Sequence, residues 1–365
     1  MNIIFVFKRF YTGKDVINHQ FGRLYEFPSQ LARLGHHVTI ICFDYRNGSS
    51  VDGFTESFGA GFVEWITVSF SDFWKFNISK IYQRLKTSGA NLVVGSSDIP
   101  SLWVARRLAI KLAVPYVVDL YDNYESFGQA RIPGFLEVLY RCVRAADLVV
   151  TVGRDLKEKV HLSYKPACPV IVINNGVGQT SFFRGDRKEA RKKLGLPLDQ
   201  KLIGTAGTLS RMKGVDTVYD AWKEIEFATE DVCLVLAGRE GANFPVPQGD
   251  RVFYLGELLE EQVGELFRAL DVGIVPAHNS GFGRYCFPQK LYEMVSCGLP
   301  IVGARVGSIA QLLRNQPETL FEPGSVAELT AVLRKQLRDC VAADVKPKTW
   351  VELVRGLESH LLRLI

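Results

Sequence analysis

The stretch from Ser280 to Val302, SGFGRYCFPQKLYEMVSCGLPIV, constrains the fold more than any other part of the chain. An apolar run, Val272 to Pro276, precedes it and another, Leu299 to Val302, closes it. The segment therefore reads as strand, glycine-containing loop, short helix and strand, one unit of a parallel sheet. Pro288 suits a helix start, where its missing N–H is not needed, and Gly298 followed by Leu-Pro is a stop signal, so the spacing predicts a helix over Gln289 to Cys297. The positive end of that helix lies behind Gly281, Phe282 and Gly283, where glycine lets an anionic ligand approach the backbone. Lys290 and Glu293 are three apart and share a helix face. Two readings stay open from the helix alone: a solvated surface pair, or a cation for phosphate and a carboxylate for sugar hydroxyls facing one nucleotide.

The same rhythm fills the chain. Residues 2 to 7 form an apolar strand, Phe10 to His19 a polar loop, Gly22 to Leu34 a helix and Val38 to Phe43 a second strand, which is a βαβ unit. Helices and strands alternate onward through a strand at Pro115 to Asp119 and another at Val170 to Ile173. Near Asn174 the composition changes, and a charged stretch, Arg184 to Lys193, leads into a second series of strands at Leu202, Val232, Val252 and Val272. We read residues 1–178 and 179–345 as two doubly wound α/β domains and residues 346–365 as a C-terminal helix. Its apolar residues, Trp350, Leu353, Val354, Leu357, Leu361 and Leu364, require a docking surface, expected back across the junction.

A chain of 365 residues suits two cores, and 47% hydrophobic with 23% charged residues is a globular composition. The net charge of +5 favours small anions or an anionic membrane surface and is too weak to argue for nucleic acid. Seven scattered cysteines without a Cys-x-x-Cys pair read as reduced thiols, and no signal peptide or membrane span is visible, so a cytoplasmic protein is expected. No Asp-x-Asp triplet occurs, so neither a divalent metal nor another cofactor is expected.

Ligands of parallel sheets gather at the carboxyl ends of strands, which directs attention to the loops there. The loop from Gly204 to Gly214 lacks both the dinucleotide fingerprint and the P-loop lysine, but it places Arg211 and Lys213 just before a helix. Asp119 and Asp122 end a strand of the first half, as substrate ligands or as plain caps. Tyr11, Lys14, Asp15, His19 and Arg23 lie on or just after the first loop, in reach of a second substrate. The basic clusters Arg184 to Lys193 and Arg334 to Arg338 are either solvated faces or membrane contacts.

In order and spacing, Thr205 to Thr217, Leu234 to Gly238, Phe253 to Gly256, Asp271 to Pro276 and Lys290 to Val302 resemble retaining glycosyltransferases of the GT-B fold, family four. Leu34 to Val38, Ala146 to Val152 and Asn175 to Val177 extend the likeness to the first half. The resemblance implies two Rossmann-like domains facing a cleft and a nucleotide-sugar donor, linked to UDP or GDP, held mainly by the second domain. It assigns Glu293 to the ribose, Lys213 to the phosphates, and Lys290, Leu291, Gly207, Thr208, Gly238 and the Gly281-Phe282-Gly283 segment to the donor. It implies retention of configuration, transfer to a glycan or lipid-linked glycan, and Lys213, Arg211, Asp119 and Asp122 as the catalytic candidates. Two positions depart from the pattern. Thr208 stands where the family carries Arg, and Tyr285 or Ser280 stands where it carries a first glutamate. An epimerase of the same fold and a nucleotide-binding scaffold are the alternatives.

Overall fold

The computed structural model describes residues 1–11, 13–46, 53–69, 78–228 and 231–365; the side chains of 11, 78–80 and 226–228 also lie outside the described set. The chain divides into two compact units, residues 1–175 with 350–365, and residues 176–349.

The first unit is built on an eight-stranded sheet and opens with β1 (Asn2–Lys8), followed by a small hairpin, β2 (Phe10–Tyr11) and β3 (Lys14–Asp15). Helix α1 (Arg23–Arg33) leads to β4 (His37–Asp44), and β5 (Phe54–Phe58) and β6 (Gly61–Ser69) follow. Helix α2 (Ile78–Leu85), β7 (Leu92–Ser96), α3 (Ile99–Leu112), β8 (Tyr116–Leu120), α4 (Phe135–Arg144), β9 (Leu148–Thr151), α5 (Arg154–Lys159) and β10 (Val170–Val172) complete the βα series. The order across the sheet is β10-β9-β8-β7-β1-β4-β6-β5, parallel throughout except for β5, which pairs antiparallel with β6. Ile3 to Phe7 are buried without alternation, as expected for a central strand covered on both faces. The β5–β6 hairpin has no counterpart among the sequence expectations. β5 is largely exposed and carries only a weak apolar signal, so its turn, Gly59 to Gly61, is the clearest trace it leaves.

The second unit opens with α6 (Arg187–Leu194) and β11 (Lys201–Ala206), then α7 (Val215–Ala228), β12 (Val232–Ala237), β13 (Val252–Tyr254), α8 (Glu260–Ala269) and β14 (Val272–Val275). A five-residue helix, α9 (Gly281–Tyr285), precedes α10 (Gln289–Ser296), β15 (Ile301–Ala304), α11 (Gly307–Leu312), β16 (Leu320–Phe321) and α12 (Val326–Arg338). The sheet order is β13-β12-β11-β14-β15-β16, all parallel. The chain therefore winds outward in opposite directions from β11 and β14, and the point between their carboxyl ends is where such sheets accept ligands.

Helix α13 (Trp350–Leu361) returns to the first unit and packs on α1. Phe27 meets Trp350 edge-on at 6.2 Å, and Leu353, Val354, Leu357 and Leu361 are buried. His36 Nε2 lies 2.6 Å from Glu358 Oε1 at the rim of this contact.

Candidate donor site

Residues around the β11–β14 point converge on a small cationic cluster. After β11 the chain passes Gly207 and Thr208, both exposed, and turns through Arg211 to Lys213 into α7. Gly214 makes that turn with φ +76°, and a side chain there would run into the backbone of Ala277. The loop after β11 is thus pressed against the loop after β14. Across this contact the Lys213 ammonium sits 3.5 Å from the centroid of the Phe282 ring, while Arg211 leans over Phe244 at 5.4 Å.

Lys290, from the first turn of α10, reaches the same place: a Cβ added to Gly207 would lie 3.5 Å from its Nζ. Burial, and then the positive charge of Lys213, push the Lys290 pKa down to about 8, against the attraction of Glu293 and Cys286. Two ammonium groups held close enough to repel each other form a site that an anion would relieve. Glu293, half-buried on the same helix, offers a carboxylate one turn along.

Gly281 and Gly283, expected in a loop, belong to α9. Ser280 caps it by accepting from the Gly283 N–H at 3.1 Å, and Gly283 is required because a Cβ would strike the His278 carbonyl. The N-terminus of α10 offers fewer donors than the sequence suggested. The Gln289 N–H donates to Phe287 and the Leu291 N–H to Pro288, so lysine charge is the larger attraction for an anion. Leu291 itself is fully buried, which makes it a core residue and not a donor ligand. Gly238 is also structural: with φ +118°, its missing Cβ leaves room for the carbonyl of Gly207.

A pair absent from the sequence reading completes the cluster. His278, just after β14, holds Asp216 in the first turn of α7, with Nε2 at 2.8 and 3.1 Å from its two carboxylate oxygens. The only sequence signal was a lone histidine at a strand's carboxyl end.

In the first unit, Asp119 is 2% exposed and forms a buried ion pair with Arg23, which is fully buried. Ser96 Oγ also donates to Asp119, and Arg23 continues to the carbonyls of Ile173 and Asn174. Asp119 was open between a substrate ligand and a strand-end cap and Arg23 was a candidate for the acceptor; their partners join α1, β8 and the exit from β10. Asp15 is likewise internal, bridged to Arg9 at 2.9 Å and accepting from the Ile17 N–H. His19 is exposed with Nδ1 facing the Asp15 N–H, Lys14 rests over Phe21 at 4.2 Å, and Asp122 is half-buried. The side chain of Tyr11 lies outside the described residues. The basic run at Arg184 to Lys193 is partly internal too, since Arg187 and Arg191 both bind Asp271 and Lys193 binds Glu265.

Two family profiles match this chain, one described as "Glycosyltransferase Family 4" over residues 23–179 and one as "Glycosyl transferases group 1" over residues 200–339. The chain belongs to the group 1 glycosyltransferases. Among curated relatives, a D-inositol 3-phosphate glycosyltransferase of Acidothermus cellulolyticus is 28% identical over 238 residues, 60% of this chain and 50% of the relative. A putative teichuronic acid biosynthesis glycosyltransferase, TuaC of Bacillus subtilis, is 26% identical over 67% of this chain and 61% of the relative. The matched segments thus span about half to three fifths of these relatives. Among solved structures, sucrose-phosphate synthase from Thermosynechococcus elongatus superposes with TM-score 0.74 at 19% identity, covering 100% of this chain and 97% of that one. HepE from Anabaena, in complex with UDP-glucose, gives TM-score 0.74 at 18% identity over 100% of both chains. The fold of this group 1 glycosyltransferase is therefore GT-B. At the two departures from the family pattern, Thr208 is exposed beside Gly207, and Ser280 is committed to capping α9. Among the described residues, no group of three or more potential metal ligands was found, and no helix is long and apolar enough to cross a membrane.

Proposed function

We propose that this chain transfers a sugar, with retention of configuration, from a uridine or guanosine diphosphate sugar to a glycan or lipid-linked glycan acceptor. The observation that carries the reading is the convergence of Lys213 and Lys290 beside Gly207 and Phe282 at the β11–β14 point, with Glu293 one turn away. The diphosphate would lie against the two lysines and the ribose hydroxyls against Glu293. In the reaction, the bond between the anomeric carbon and the terminal phosphate oxygen breaks, and the diphosphate leaves with the electron pair. Lys213 and Lys290 stabilise that growing charge, which is commonly the largest catalytic contribution and is the role a divalent cation has elsewhere. The acceptor hydroxyl attacks the face the diphosphate leaves, and its proton passes to the departing phosphate oxygen. UDP is the first nucleotide to try, because HepE was solved with UDP-glucose. The first unit would take the acceptor. Peripheral attachment to an anionic membrane remains part of the proposal, supported by a net charge of +5.

The test is a thermal-shift panel of UDP, GDP, ADP and TDP in EDTA and in magnesium. A ligand that binds only the folded protein raises its melting temperature. The expected result is a shift with one nucleotide that persists in EDTA and disappears in Glu293→Ala. No shift with any nucleotide overturns the reading, and a shift that requires magnesium overturns the role given to the lysines.

A further inference from the structure

The amino end of β8, opposite the strand ends that parallel sheets turn to their substrates, carries a recess of about 440 Å³. Small-molecule sites have volumes of about 300–1,000 Å³. One wall is the carboxyl half of α3, the other is the link between α4 and β9, and the floor is the chain from Ala113 into β8. Small side chains keep it open: Ala109 and Ala113 on the α3 side and Ala145 across from them. Ile110, 62% exposed, and Pro115 give it an apolar lining.

Two opposite charges stand on this lining without meeting. Arg106 Nε is buried with no hydrogen-bond partner, and among the described residues its guanidinium forms no ion pair. The other cations of α3 are engaged, Arg107 over the Trp103 ring at 5.6 Å and Lys111 over Tyr82 at 5.4 Å. Asp147 is exposed, and its Oδ2 accepts from the Tyr116 N–H at 2.8 Å; among the described residues no cation pairs with it. Tyr116 separates the two charges. Its backbone lies against Asp147, while its hydroxyl donates to the Leu102 carbonyl at 3.0 Å, one turn of α3 before Arg106. Burial and Cys142 raise the pKa of that hydroxyl and the Arg106 charge opposes them, which puts the guanidinium near the hydroxyl end of the ring. Along α3, Arg106 and the capping residue Ala113 are seven positions apart, about 10 Å at the rise of a helix. The carbonyl end of α3, with its partial negative charge, therefore lies on the Asp147 side.

A buried donor without an acceptor is rare in a native fold. We propose that this recess binds a small zwitterion, with its carboxylate on Arg106, its ammonium on Asp147 and the carbonyl end of α3, and its apolar middle over Ile110 and Pro115. A carboxylate matches the paired N–H groups of a guanidinium. An anion alone would meet the Asp147 charge and a cation alone the Arg106 charge, whereas a molecule carrying both at a distance is attracted at each end. The site is separate from the donor site and does not depend on the transferase reading.

The experiment titrates the full chain with 6-aminohexanoate, hexanoate and hexylamine, with binding followed by saturation-transfer NMR. 6-Aminohexanoate, whose charges are held apart by a methylene chain, is expected to bind about tenfold more tightly than either of the others. Arg106→Gln should remove its advantage over hexylamine. Asp147→Asn, whose amide oxygen still accepts from Tyr116, should remove its advantage over hexanoate. Ala145→Leu fills the recess from an exposed position and should abolish binding of all three with the melting temperature unchanged. Saturating UDP should alter none of these affinities, because the donor groups belong to the other unit. Equal affinity for the three probes, no binding of any, or binding that survives Ala145→Leu would overturn the site. Competition by UDP would put the zwitterion in the donor site and overturn it as well. A protein that binds 6-aminohexanoate as described but not UDP would overturn the donor reading and leave this one standing.

Discussion

Lys290 shows how a side chain that looks ordinary in sequence becomes a functional group. Its i,i+3 relation to Glu293 is visible in the chain, but the lysine it faces, Lys213, is 77 residues away, and only the β11–β14 arrangement brings them together. With a pKa of about 8, Lys290 loses its proton in a range where an ordinary lysine keeps it. A bound diphosphate favours the protonated form, so UDP affinity should hold below pH 8 and fall as pH rises through it. Affinity measured by calorimetry between pH 6.5 and 9.5 should show this decline in the wild type and not in Lys290→Arg, whose guanidinium stays charged. The effect on stability has the opposite sign. The unfolded chain keeps the proton to higher pH, so this residue's contribution to folding improves from about pH 8 to the ordinary lysine value. A flat affinity profile would remove Lys290 from the phosphate site. Asp119 is the converse case: a carboxylate at a strand end looked available, and nothing local in the sequence announces that Arg23, 96 positions earlier, neutralises it.

At the scale of elements, the βα order was legible because buried parallel strands are continuous apolar runs that stand out between polar loops. What escaped were elements defined by long-range pairing. β5 and β6 needed each other, and β16 has only two residues. The staple between α7 and the loop after β14 escaped for the same reason, because Asp216 and His278 are 62 positions apart. It joins the two segments that carry Lys213 and Phe282, so it should act on nucleotide binding through their placement. His278→Ala is expected to weaken UDP binding about tenfold, the effect of losing one hydrogen bond to a charged group. His278→Gln, whose amide N–H can still reach the Asp216 carboxylate, should recover most of that affinity. If both variants bind UDP like the wild type, the staple has no part in the site. If Gln fails where Ala fails, the imidazole contacts the ligand directly.

At the scale of the whole molecule, the chain closes its first unit last. Residues 350–365 complete a core begun by residues 1–175, although the intervening 174 residues form a different unit. The periodicity of α13 announced that it must dock, and its partner, α1, carries the matching ring at Phe27. Trp350 is 5% exposed, so Trp350→Ala removes a large buried side chain and should destabilise the first unit by about 3–5 kcal/mol. The nucleotide groups Lys213, Lys290 and Glu293 all belong to the other unit. Two-unit chains need not unfold in one step, so calorimetry of Trp350→Ala should resolve an early transition from the first unit and a later one that UDP still moves upward. Adding Glu293→Ala to Trp350→Ala should leave the early transition in place and abolish the response of the later one to UDP. A single transition at a lowered temperature, with the UDP response lost in Trp350→Ala, would mean that the second unit does not hold its nucleotide site without the first.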